Sequence, residues 1–238
     1  MFDNNNYNNY NSYGADTRSL ATKVSAVMKR VYFKMTLGLL VSAFVAMWCS
    51  DSAAYWGFMQ SHSWAIWGLL IAEVGLVIAI TGAIRRLSSA AATGLFYLFA
   101  ALNGVSLAPI FMIYTSHSIS VTFFVTAGTF AAMSIYGYFT SNDLSKMGSI
   151  LFMALIGLII ASVVNLFLHS ETMMWIITYA GVLIFVGLTA WDTQQIKNMA
   201  IQMDSASTGK LATIGALNLY LDFINHFLYL LRIFGNRD

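Results

Sequence analysis

Four stretches of this chain, 90–114, 119–139, 149–168 and 173–191, contain no Asp, Glu, Lys or Arg at all. A helix needs about 20 mostly apolar residues to cross the hydrocarbon core of a bilayer. In lipid the backbone must satisfy its own hydrogen bonds, so such runs are expected to be transmembrane helices. Two further segments, 31–49 and 64–84, are long and apolar enough to qualify although each carries one charged residue, Lys34 and Glu73. A seventh, about 213–234, is long enough to span but carries Asp222, His226 and Arg232. The chain as a whole is 58% hydrophobic and 9% charged, against about 25% charged in a soluble domain. The expected fold is all-α and polytopic, with seven transmembrane helices.

Composition excludes several functions. A net charge of +2 and the lack of any basic-aromatic cluster give no basis for nucleic-acid binding. The single cysteine, Cys49, rules out an internal disulfide or a multi-thiolate metal site and reads as a packing residue. No hydrolase, kinase, zinc-protease or dinucleotide pattern is present, so no enzyme activity and no cofactor are expected. Residues 2–14 form an Asn/Tyr-rich run that cannot bury a core. The expected division is a disordered cytoplasmic tail over 1–20 and a membrane domain over 21–238.

Orientation follows from the connections between spans. Residues 50–63, 115–118 and 169–172 contain no Lys or Arg, whereas the alternate connections hold Arg85 and Arg86, Lys146, and Lys197 and Lys210. By the positive-inside rule the N-terminus is cytoplasmic. The C-terminus is ambiguous: the length of the seventh segment favours crossing, while Arg232 and Arg237 favour a return. Gly128 and Ala132, beside Ala127 and Ala131, offer a small surface for close helix packing. Pro109 is expected to bend the third span, and Trp64, Trp67, Trp175 and Trp191 to form interfacial belts.

The seventh segment carries the most specific pattern. Asn218, Asp222, Asn225, Tyr229 and Arg232 recur at steps of four, three, four and three, which places them on one helical face. A charged, unpaired carboxylate at membrane depth costs several kcal/mol, by roughly the central values of insertion scales. Glu73 is also mid-span, either as a protonated, hydrogen-bonded residue or on an ion pathway. Asp192 closes the sixth span, either solvated beyond the membrane or, if the helix continues to Lys197, inside it. In the second case Asp192 and Asp222 could meet and titrate as a unit. Arg85 and Arg86 are either positive-inside anchors or the source of a guanidinium that pairs with a carboxylate. His62, His117 and His169 share the external side, as scattered interfacial residues rather than a metal site. His226 sits beside the polar stripe, placed to titrate with Asp222 or to donate a hydrogen bond.

The segments Phe185-Val186-Gly187-Leu188-Thr189-Ala190-Trp191-Asp192-Thr193-Gln194 and Leu219-Tyr220-Leu221-Asp222-Phe223-Ile224-Asn225, with Leu230-Leu231-Arg232-Ile233-Phe234-Gly235, resemble the last two spans of the Bax inhibitor-1 family. The run from Thr122-Phe123-Phe124 to Gly137-Tyr138, and Asn142-Asp143-Leu144-Ser145-Lys146-Met147-Gly148 after it, are similar as well. The asparagine-rich leader and Ala72-Glu73-Val74-Gly75-Leu76 resemble its bacterial branch.

The resemblance implies a seventh helix enclosed by the other six and a pH-sensitive calcium leak in a bacterial inner membrane. It implies that Asp192 and Asp222 form the proton sensor, that Arg85 or Arg86 is a latch on that pair, and that Glu73 contacts the ion. Ca²⁺ is a hard cation that takes oxygen ligands, which Glu73, Asp192, Asp222, Asn218 and Asn225 could supply. The expected partners are the lipid bilayer, Ca²⁺ and H⁺. A second reading is a non-transporting regulatory protein that binds a membrane protease or another membrane complex.

Overall fold

The computed structural model describes residues 5–203 and 207–236, with side chains from Ser19 onward. Among these residues the chain forms nine helices and seven spans. They are α1 (Asn5–Ser50), α2 (Ala53–Ser61), α3 (Trp64–Ala83), α4 (Ser89–Leu107), α5 (Ile110–Ile113), α6 (Ser116–Phe139), α7 (Ser145–Leu168), α8 (Glu171–Gln202) and α9 (Thr208–Phe234). The tail expected over 1–20 falls partly outside the described residues, which omit 1–4 and all side chains before Ser19. The backbone of α1 is helical from Asn5.

Local sequence sets where the spans begin. Ser88, Thr115 and Ser170 each take an extended backbone, and their hydroxyls accept the N–H of Ala91, Ser118 and Met173. Each cap satisfies one donor that a helix start leaves unpaired. His169 ends α7 in the left-handed region at φ 50°, and the Asn165 side-chain oxygen accepts the Ser170 N–H. That tight reversal sends α8 straight back along α7. Pro109 separates α4 from α5, as its missing N–H requires.

α9 is the most buried span and packs on α1, α4, α6 and α8. The remaining two spans are peripheral: α3 rests on α4, and α7 on α8. Four helices are thus close neighbours of α9 along their length, while α3 and α7 lean mainly on the inner helices, α7 reaching α9 only through side chains such as Ser162 and Tyr229.

Close approach occurs at Gly137, where a Cβ would collide with Ala190 O, and at Gly148, which faces the Trp191 ring. Gly128 meets nothing within 4 Å, and Ala132 is exposed. The small residues expected to pack helices are thus the wrong ones, since their face of α6 is turned away from α8. Trp191 likewise lies well inside α8, not at a span end.

Side chains close each end of the bundle. At one end Lys34 donates to Thr93 and Thr213 at 2.8 and 2.7 Å, Lys197 to Tyr138 O at 2.7 Å, and Lys210 to Arg85 O at 3.1 Å. Lys23 donates to Met203 O, and Gln194 bridges Asn142 O and the Leu144 N–H. Here the Ser145 hydroxyl, together with the Ser145 N–H that Asp143 accepts at 2.9 Å, holds the Asp143 carboxyl below the usual range. At the other end Thr115 N–H donates to Asn236 O, and Asn236 N–H to Ser118 Oγ. The end of α9 therefore sits beside the α5–α6 turn, and the seventh segment crosses the whole bundle.

Candidate functional site

α8 and α9 run antiparallel and bring the two aspartates together. Asp192 lies ten residues before the end of α8, about 15 Å along its axis, and Asp222 fourteen residues into α9, about 21 Å. The two carboxyl groups face each other within hydrogen-bonding reach, and the Asn218 side chain reaches Asp192. Their relative exposures are 8% and 4%, so neither is a solvated carboxylate beyond the helix. Two ionised carboxylates this close and this dry would repel strongly in low dielectric. Asp222 Oδ2 has no hydrogen-bond partner.

The pair borders a cavity of about 600 Å³ between α7, α8 and α9. It exists because α7 packs on α8 and leaves a gap to α9. Asn218, Asp222, Asn225 and Tyr229 line it from α9, Asp192 and Leu188 from α8, and Leu158 and Ser162 from α7. A second cavity of about 490 Å³ holds Asn165, Tyr114 and Arg232, and the two share Ser162, Leu166 and Tyr229. Tyr229 is within hydrogen-bonding reach of Ser162, stacks on Phe185 at 6.0 Å and lies under the Arg232 guanidinium at 5.9 Å. The polar stripe of α9 thus faces these two spaces along its length. Sequence reasoning overlooked the α7 wall, where Ser162 and Asn165, three residues apart, were a readable polar pair.

Three expected participants lie elsewhere. Glu73 is on α3, across α4 from the aspartates. It accepts hydrogen bonds from Ser106 Oγ at 2.5 Å and Asn103 Nδ2 at 3.4 Å. Asn103 Oδ1 accepts the Tyr220 hydroxyl at 2.9 Å, and that hydroxyl lies 2.6 Å from Ser42 Oγ. Glu73 therefore belongs to a separate polar network between α1, α3, α4 and α9. Among the described residues no three His, Cys, Asp or Glu side chains converge on a metal position, so Glu73, Asp192 and Asp222 do not form one ligand set. Arg85 and Arg86 are exposed just beyond α3, where Lys210 near the start of α9 donates to the Arg85 carbonyl, and neither joins the aspartate pair.

His226 is 2% exposed, and neither ring nitrogen has a hydrogen-bond partner, so of the two roles open to it from sequence the hydrogen-bond donor is not the one seen. Cys49 is buried near the end of α1.

A family profile described as "Inhibitor of apoptosis-promoting Bax1" matches residues 24–238. The inner membrane protein YbhL of Escherichia coli K12 is 53% identical over 213 residues, covering 88% of this chain and 91% of that protein. An uncharacterized protein of Borreliella burgdorferi is 48% identical, with 88% and 91% covered. The protein RP147 of Rickettsia prowazekii is 43% identical, with 88% and 89% covered. With the profile spanning every helix after the start of α1, this chain belongs to the Bax inhibitor-1 family.

Proposed function

We propose that this protein is a proton-modulated cation leak, with Ca²⁺ as the ion, in a bacterial inner membrane. The observation that carries the reading is the Asp192–Asp222 pair: two buried carboxyls from different helices, within reach of each other, at the wall of a mainly apolar cavity whose α9 side carries Asn218, Asn225 and Tyr229. A hard divalent cation exchanges water for carboxylate and amide oxygens, and Asp192, Asp222, Asn218 and Asn225 offer these along one wall. So few carboxylates suit slow passage better than high flux. Protonation of the pair removes both its repulsion and its affinity for a cation, which makes the site pH-responsive. Arg85 and Arg86 have no part in this reading, and neither does Glu73. The inner membrane is supported by the name of the Escherichia coli relative, and a cytoplasmic N-terminal side by the lysines at that end of the bundle.

The test is Ca²⁺ flux into proteoliposomes of the purified protein, measured on both sides of neutrality, because a coupled pair titrates as a unit. Wild type should show pH-dependent flux, and Asp192→Asn and Asp222→Asn should each remove most of that dependence. Folded protein with no flux at any pH would reject the leak and favour the regulatory reading. Aspartate variants that retain the wild-type profile would reject the sensor.

A further inference from the structure

α1 and α6 each pack on α8 and α9 and leave a seam between them. In that seam runs a groove of about 830 Å³. Its floor is Phe223 of α9, with Phe123 and Phe130 of α6 at 5.5 Å in edge-to-face contact. From Ser25 to Leu39 its α1 wall spans fifteen residues, a rise of about 21 Å. One leaflet of the hydrocarbon core is about 15 Å deep, half of roughly 30 Å. The groove is therefore long enough for an acyl chain and the polar group above it.

Two features make it more than a greasy surface. Among the described residues Lys29 is the one charged side chain in its lining, exposed at the end where the bundle gathers its lysines, and no carboxylate lines the groove with it. Lys197 at that end is outside the lining and already engaged, its Nζ donating to the carbonyl of Tyr138 at 2.7 Å, which leaves Lys29 as the cation for a headgroup. Deeper in, Ser134 lines the groove at 5% exposure, and its Oγ has no hydrogen-bond partner. It lies five residues inside the end of α6, about 7.5 Å. A buried hydroxyl without a partner is costly, and in a lipid-filled groove the matching acceptor is an ester carbonyl just below a phosphate.

We propose that this groove binds one anionic glycerophospholipid, with an acyl chain over Phe223, an ester carbonyl on Ser134 and the phosphate at Lys29. Basic sites between helices on the cytoplasmic side select anionic headgroups in this way. The occupant lies against α9 one residue from Asp222, so it touches the helix of the candidate ion site without entering the cavity. The assignment is independent of what that cavity conducts.

The test is native mass spectrometry of the purified protein in mild detergent, offered phosphatidylglycerol and phosphatidylcholine with identical acyl chains. Wild type should retain phosphatidylglycerol over phosphatidylcholine by about fivefold, equivalent to about 1 kcal/mol for one lysine at an anionic surface. Lys29→Gln, an exposed change that leaves the packing alone, should bring the ratio to parity. Ser134→Ala should lower retention of both lipids equally, and Ala131→Trp should block both by filling the groove. Equal retention by wild type, a preference that survives Lys29→Gln, or a protein partner in place of lipid would each overturn the assignment.

Discussion

Tyr220 and Asp222 are two residues apart on α9, about 200° around the helix, and they serve separate polar networks. Tyr220 faces Ser42 and Asn103, while Asp222 faces Asp192. Perturbing one should therefore spare the other. Tyr220→Phe removes a buried hydroxyl bonded on both sides. It should cost about 1–2 kcal/mol, the size of interhelical hydrogen bonds in membranes, read as a lower unfolding midpoint in detergent, with the pH profile of ion flux unchanged. Glu73→Gln and Arg85→Ala should likewise leave the flux midpoint in place. A midpoint moved by Arg85→Ala would mean that α3 reaches the aspartate pair in another state.

At the scale of elements, two contacts position the site. The α6–α8 crossing depends on Gly137, whose Cα approaches the Ala190 backbone two residues before Asp192. Gly137→Val should cost about 3 kcal/mol or more, because backbone cannot yield as a side chain can. Gly128→Val, which enters open space, should be tolerated, and the folded fraction on size-exclusion chromatography separates the two. The second contact is the α7–α9 seam, where Tyr229 and Ser162 stand between the two cavities. On the proposed pathway, Tyr229→Ala joins those cavities and should raise flux several-fold at every pH. Unchanged flux would mean that ions do not pass this way.

Over the whole molecule, the connections that lack Lys and Arg share one end of the bundle with Asn236, and the lysine-rich connections share the other. A cysteine at Ser116 and one at Asn236 should react together with an impermeant thiol reagent applied from outside. One at Ser145 should react only after permeabilisation. Cys49 is buried and should stay silent. Labelling of Ser145→Cys from outside would invert the orientation. Arg232 then lies at the external end, against the positive-inside trend. There its guanidinium is 3.3 Å from Thr178 Oγ1 and rests on the Tyr229 ring, so contacts within the protein accommodate it.

Hydropathy and the distribution of charge were enough to determine the number of spans, their approximate limits, the break at Pro109 and the polar face of α9. Each of these depends on residues near in sequence, through lipid solvation and helical periodicity. The pairing of Asp192 with Asp222 was readable only as a possibility, because it needs α8 to run on past the apolar segment and α9 to lie antiparallel at matching depth. Tertiary packing alone decided the rest. Glu73 sits on a helix that leans on α4, which separates it from the aspartates, and nothing in α3 itself encodes that neighbour. Gly137 and not Gly128 became the close contact because of how α6 is rotated against α8. Hydrophobicity cannot specify that rotation, since in a bilayer every face of an apolar helix is equally well solvated and only side-chain fit chooses between them.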